Sequence, residues 1–180
     1  MDILFVSANS ADAYMDIERE QRILQKLTMA DEDSLHFLPA AEISDLREAL
    51  DANQKSKSFD ILHFSGHATE ENGLHLRGAG RQPEFLGVEK LKEFLKDSGV
   101  QLVVLNACSS EAVAVSLSEV VPAVIGTTRK VRDVVARQFT RLFYSALKEN
   151  ATVIEAFDAA LKEQRTSVNP AYIHAASHTQ

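Results

Sequence analysis

Two residues of this chain have types and placement suited to nucleophilic chemistry, His67 and Cys108. His67 closes the stretch Ile61-Leu62-His63-Phe64-Ser65-Gly66-His67, and Cys108 closes Val103-Val104-Leu105-Asn106-Ala107-Cys108. Each stretch is a short apolar run of strand character. About 40 residues separate the two positions, room for one strand–helix excursion. If both strands lie in one parallel sheet, the two side chains emerge at the same edge and face one cleft. A thiol is mostly protonated near neutral pH, and an adjacent imidazole either takes its proton or holds it as a thiolate–imidazolium pair. Cys108 also precedes a predicted helix, whose N-terminus favours the thiolate. An oxyanion developing there needs donors, and the backbone N–H groups of Cys108 and Ala68 lie where these are expected. A lone cysteine is ordinarily a small buried hydrophobe, and a lone histidine is ordinarily bonded to backbone. The pairing at neighbouring strand ends, followed by the Ser109-Ser110 turn, points to chemistry instead.

The elements that must position this pair alternate along the chain. Strands are predicted at Ile3–Ala8, Leu35–Leu38, Phe59–Ser65, Leu102–Ala107 and Ala123–Gly126. Helices are predicted at Tyr14–Met29, Val88–Lys96, Glu111–Val120, Val131–Leu147 and Thr152–Glu163, with another capped by Ser44 and running to Asn53. The long helix is expected to turn Val134, Val135, Phe139, Leu142 and Phe143 inward. Gly and Pro punctuation around Leu74-His75-Leu76 and Glu84-Phe85-Leu86 predicts a small β-hairpin turning at Gly78 to Gly80. Continuous apolar strands alternating with helices imply an α/β fold with a mostly parallel sheet covered on both faces. In such folds the working residues sit beyond the carboxyl ends of the strands. Those positions are Asn9 and Ser10, His67 and Ala68, Cys108 to Ser110, and Thr127 to Arg129. One domain is expected over residues 1–166, with a frayed tail over 167–180.

Composition narrows the function classes. With 180 residues, 45% hydrophobic and 25% charged, the chain reads as an ordinary globular domain able to bury a core. A net charge of −7 with scattered Lys and Arg speaks against a nucleic-acid ligand. No apolar run is long enough for a membrane-spanning helix, and the N-terminus lacks the basic and apolar regions of a signal peptide. A single Cys excludes an intrachain disulfide and fits a reducing cytoplasm.

Other motifs carry less. His63 and His67 share a strand face and form half of a metal site, with His75 or Cys108 as the nearest further ligand. The expectation is instead that His63 is a buried neighbour orienting the site, and no metal or cofactor is expected. Gly78-Ala79-Gly80 joins no strand to a helix, so it is a hairpin turn and not a phosphate loop. Ser65 and Ser109 lack the surroundings of a serine nucleophile elbow. A receiver domain is excluded by the absence of acidic residues at the first and third strand ends.

The strand-Ser-Gly-His stretch 61–68, the strand-Asn-Ala-Cys-Ser stretch 103–109 and their spacing resemble the CHAT domain, a caspase-like member of the caspase–separase–gingipain group. The resemblance extends to Ile3-Leu4-Phe5-Val6-Ser7-Ala8-Asn9, to the acidic helix with Asp16, Glu18 and Glu20, and to Val124-Ile125-Gly126 with the helix from Asp133 to Leu147. It implies a three-layer caspase-like fold and a cysteine endopeptidase acting on a protein or peptide substrate. His67 is then general base and acid, and Cys108 the nucleophile. It also implies a regulated bacterial effector in a defence or stress pathway, answering to an activating or sensing partner protein or a fused domain. Ala68 departs from the group, which usually has Gly there, and its methyl narrows the approach to the oxyanion donor.

Substrate contacts are expected from Asp133, Asn9 and Ser109. In the wider group an acidic side chain selects Arg or Lys at the scissile position. Asp133 suits that role, with Asp12 as a second candidate. Asp133 also reads as an ordinary helix N-terminal acid, and Arg129, Lys130 and Arg132 beside it could pair with it or favour an acidic substrate residue. The expectation is a basic preference. The excursion 69–87 and the segment after Cys108 are expected to be mobile until a partner or self-cleavage orders them. The competing function is a catalytically silent module of the same fold that binds a partner protein.

Overall fold

The computed structural model describes residues 1–9, 15–29, 33–51, 58–78, 80, 82–164 and 172–176, and of residues 163 and 164 the backbone alone. Ser10, Asp12 and Ala79 lie outside the described residues.

The apolar runs form the strands expected of them. β1 (Asp2–Ala8), β2 (Ser34–Pro39), β3 (Ile61–Thr69), β6 (Leu102–Ala107) and β7 (Ala123–Thr127) lie mutually parallel in the order β2-β1-β3-β6-β7. Each central strand is buried on both faces, which is why its sequence is continuously apolar instead of alternating. Helices cover both faces and give three layers. On one side lie α2 (Ile43–Leu50), α3 (Val88–Leu95) and α4 (Glu111–Leu117), packed over Leu62, Phe64, Val103 and Leu105. On the other lie α1 (Ile17–Thr28), α5 (Asp133–Lys148) and α6 (Val153–Gln164), packed over Ile3, Phe5, Val104 and Ile125. This is the three-layer caspase-like α/β fold. The hairpin insertion is β4 (Gly73–Arg77) with β5 (Pro83–Leu86), paired antiparallel to each other.

Several boundaries differ from expectation, each for a physical reason. α2 is capped by Glu42, not Ser44: the Glu42 carboxylate accepts from the backbone of Asp45, and the Asp45 carboxylate accepts from the Glu42 N–H at 2.9 Å. Val134 is exposed, because the buried stripe of α5 runs through Phe139, Thr140, Phe143 and Tyr144. The stretch expected to fray contains a strand, β8 (Tyr172–Ala176), antiparallel to β7 from Tyr172↔Thr127 to Ala176↔Ala123. Tyr172 is buried and stacks on Phe139 with ring centroids 3.9 Å apart. The domain therefore extends through residue 176, where burial of one aromatic ring and closure of the sheet edge hold the chain. Within the excursion 69–87, Leu74, Leu76 and Leu86 are buried in the core.

Candidate active site

The sheet register sets the geometry of the site. β3 and β6 are neighbours, paired in parallel from Ile61↔Leu102 to Gly66↔Ala107. His67 is the next residue along β3, and Cys108 follows the last residue of β6. His67 is not beyond its strand, as the sequence had implied. β3 runs on through Thr69, leaving β1 and β6 and pairing antiparallel with β4, where His67 faces His75. The change of partner passes through Gly66. A Cβ there would lie 2.9 Å from the Ala8 carbonyl oxygen and 2.7 Å from the Phe64 ring, so a side chain would push β1 away from β3.

Cys108 occupies a tight turn between β6 and α4. Ser109 takes a left-handed φ of 52°, a conformation that costs a non-glycine residue on the order of 1 kcal/mol. Buried hydroxyls brace the turn. The Thr127 hydroxyl donates to the Ala107 carbonyl, the Ser110 hydroxyl accepts from the Thr127 N–H at 2.9 Å, and the Ser109 N–H donates to the Arg129 carbonyl at 3.5 Å. Thr127 and Ser110 thus hold the Cys108 turn against β7. Cys108 is half-buried, Ser109 exposed.

A shallow pocket opens beside Cys108 on the α1/α5 face. Asp133 lines it, as do Asp16 and Glu20 from α1 and Arg137 from α5. The Asp16 carboxylate is paired with Arg19 at 2.9 Å and Arg137 at 3.4 Å. Asp133 accepts one hydrogen bond, from the Asp16 N–H at 3.0 Å, and has no ion-pair partner among the described residues. Asp133 thus starts α5, ties down the start of α1 and is among the residues lining the pocket. Arg129, Lys130 and Arg132 are exposed and do not line the pocket. The cation that does, Arg137, was missed in the sequence, although its place one turn after Asp133 on the same helix face was a usable signal.

His67 borders a second pocket of about 270 Å³ with Asn9, His75 and Arg77. Asn9 is thus on the His67 side, away from the Cys108 pocket. Its amide closes the first loop, donating to the Met15 carbonyl and accepting from the Met15 N–H, both at 2.9 Å. The His75 ring lies 6.5 Å from that of His67 and 4.7 Å from Phe85. Burial, and then the positive charge of a protonated His67, hold His75 below the ordinary imidazole range. Ser109 lines neither pocket. The Ala68 methyl packs into the apolar core on the opposite face from His67, so it does not narrow the approach to its own backbone from the site.

Beneath the Cys108 pocket lies a buried carboxylate. Glu20 accepts from Ser65 and from Thr140, each at 2.6 Å, contacts His63 Nε2 at 3.0 Å, and accepts from the Asn106 amide. Burial opposes its ionisation, but the charge of His63 and the hydrogen bonds from His63, Ser65 and Thr140 outweigh that and hold the carboxyl below the usual range. The Tyr172 hydroxyl donates to the Asn106 carbonyl oxygen at 2.5 Å. Burial, with Glu20 and Cys108 nearby, pushes that phenol well above its ordinary value, so it serves as a neutral donor. Both ring nitrogens of His63 are engaged, by Glu20 and by the Tyr144 hydroxyl at 2.9 Å, so neither is spare for a metal. Glu20 had a sequence signal: with Ile17 and Leu24 it lies on the buried stripe of α1.

A family model described as CHAT domain matches residues 5–178 of the chain. A protein of Gillisia limnaea named "Probable protease" is 25% identical over 150 residues, covering 81% of this chain and 26% of that protein. The chain therefore spans about a quarter of the length of that relative.

Proposed function

The chain belongs to the CHAT domain family, and from that premise we propose that it is a cysteine endopeptidase cleaving a protein substrate with Cys108 as nucleophile and His67 as base and acid. The observation that supports this reading is the β3–β6 register, which runs to Gly66↔Ala107, the residues just before His67 and Cys108, with a pocket opening beside Cys108. In this reading the His67 imidazole takes the Cys108 proton and the thiolate adds to the scissile carbonyl carbon. The carbonyl oxygen becomes an oxyanion, facing the N–H groups of Cys108 and Ala68. Collapse expels the amine, which receives its proton from His67, and leaves a thioester. Water, deprotonated by His67, then hydrolyses the thioester and restores the thiol.

The pocket beside Cys108 receives the side chain preceding the scissile bond. Asp133 supports a basic residue there: it is the lining carboxylate of the three that no described cation or hydrogen-bond network has satisfied. Arg137 closes part of the pocket by holding Asp16.

The test is a peptidyl electrophile ending in Arg, run in parallel with one ending in Asp, with the adduct mapped by mass spectrometry. The expected result is a Cys108 adduct that forms faster with the Arg probe and is lost in His67→Ala. Failure of both probes to label Cys108 sinks the peptidase reading in favour of a module that binds a partner without cutting it.

A further inference from the structure

The buried Glu20 is more than a satisfied core charge. Its two carboxylate oxygens reach two different strands: Oε2 accepts from Ser65 on β3, and Oε1 accepts from Asn106 on β6. Ser65 and Asn106 are partners in the parallel register. Side chains on one face of a strand recur every second residue. His67 lies two residues further along β3, and Cys108 two residues past Asn106, in the turn that follows β6. One carboxylate thus bridges the paired residues two positions before His67 and Cys108, at the level where β3 is about to leave the sheet for β4.

We infer that Glu20 is a positioning residue: it clamps the ends of β3 and β6 in register so that His67 and Cys108 meet. This rests on the peptidase reading for its consequence, but the clamp itself is a property of the two strand ends.

Two observations argue for a clamp over generic core stabilisation. The first is orientation. Asn106 donates to Glu20 and, at 2.9 Å, to Thr140, while its carbonyl oxygen accepts from Tyr172, so its amide has one permitted direction. α1, α5 and β8 all bear on the residue two before the nucleophile. The second is cost. A buried charge is expensive unless fully paired, and an apolar side chain of similar volume would serve a core as well. Glu20 meets His63 on β3 at 3.0 Å, and besides the bond from Thr140 on α5 its hydrogen bonds come from Ser65 and Asn106 on the two strands that lead to the pair.

The experiment compares Glu20→Gln, Ser65→Ala and Leu24→Ala in the full chain. Leu24→Ala is a cavity on the same helix that touches neither strand end. Amide hydrogen exchange of peptides covering 65–69 and 106–110 reads the clamp without any need for turnover. Steady-state cleavage of a peptide ending in Arg reads its consequence. In Glu20→Gln, exchange at both strand ends should quicken by roughly tenfold, and kcat should fall by about 100-fold with KM within about twofold of wild type. Ser65→Ala should move both readouts the same way by less, and it decides the matter if Glu20→Gln does not fold. Leu24→Ala should lower the melting temperature and leave both readouts alone.

Exchange at 65–69 and 106–110 that is unchanged in Glu20→Gln and Ser65→Ala, or changed equally in Leu24→Ala, overturns the clamp. A rise in KM with kcat unchanged overturns it in favour of direct substrate contact. If the wild-type chain cleaves no peptide, the peptidase reading fails, and the exchange comparison still decides the clamp.

Discussion

The two faces of the central sheet are made from the same strands and do different work. On the α2/α3/α4 face, β3 and β6 contribute Leu62, Phe64, Val103, Leu105 and Ala107 to a core that is aliphatic apart from Phe59 and Phe64. On the α1/α5/α6 face the same strands contribute His63, Ser65 and Asn106, all buried and tied to Glu20. The pocket beside Cys108 opens on this second face. Apolar packing is non-directional and tolerates repacking, whereas a buried polar network specifies orientation because each member must find its partner. The comparison teaches that one face supplies stability while the other trades some of it for placement of the strand ends.

The sharpest break between the faces is catalytic. Cys108→Ala should abolish peptide cleavage and His67→Ala should lower kcat by about 10²–10⁴-fold, with melting temperatures close to wild type. Loss of folding in either variant, seen as a collapsed thermal transition, would move these residues to the structural side of the comparison.

Next in size is stability on the polar face. Glu20→Gln leaves His63 buried without its anion and should cost about 3–5 kcal/mol at neutral pH, measured by urea unfolding. The sign of its pH dependence follows from the lowered carboxyl. A group whose folded value is depressed stabilises fully above its unfolded value, about 4.3, and loses that contribution as pH falls through the lower folded value. Wild type should therefore lose stability on acidification below about pH 4 more steeply than Glu20→Gln, so the gap between them narrows. A constant gap from pH 7 to pH 3 would refute an ionised Glu20.

On the aliphatic face, Leu105→Ala should cost about 2–5 kcal/mol by leaving a cavity, while the activity of the remaining folded protein stays at wild-type level. A loss of activity per folded molecule beyond twofold would show that the two faces are not separable. Asp133→Asn sharpens the comparison within the pocket: cleavage after Arg relative to a neutral residue should fall about 10–100-fold, the worth of one charged hydrogen bond. The smallest effect belongs to Ala68→Gly. Its methyl faces the aliphatic core, so stability should fall by about 0.5–1 kcal/mol and cleavage should be unchanged within twofold.

Much of this was present in the residue pattern. The continuous apolar runs identify every strand of the parallel sheet, because a strand buried on both faces has no other composition available to it. The helix periodicities place α1 to α6 on the same grounds. The ends of two apolar runs mark His67 and Cys108 as candidates, since a doubly wound α/β sheet brings the carboxyl ends of its strands to one edge. What escaped were the features whose cause lies far along the chain. β8 depends on an edge of β7 left open for it and on Phe139 beneath Tyr172. The direction in which His67 leaves the sheet depends on β4.

By itself, then, the sequence determined the α/β class and the three layers. These follow from local hydrophobic period and strand–helix alternation. Tertiary structure alone decided which polar groups meet. Glu20 is one charge among several on an acidic helix until α1 packs over the β3–β6 seam and Ser65, Asn106 and Thr140 converge on it. Asn9, just past β1, and Asp133, at the start of α5, border different pockets, which their places in the sequence do not reveal. Hydrophobic burial acts over whole faces and leaves its period in the sequence. A hydrogen bond acts over about 3 Å, and which residues come that close is settled only when the layers pack.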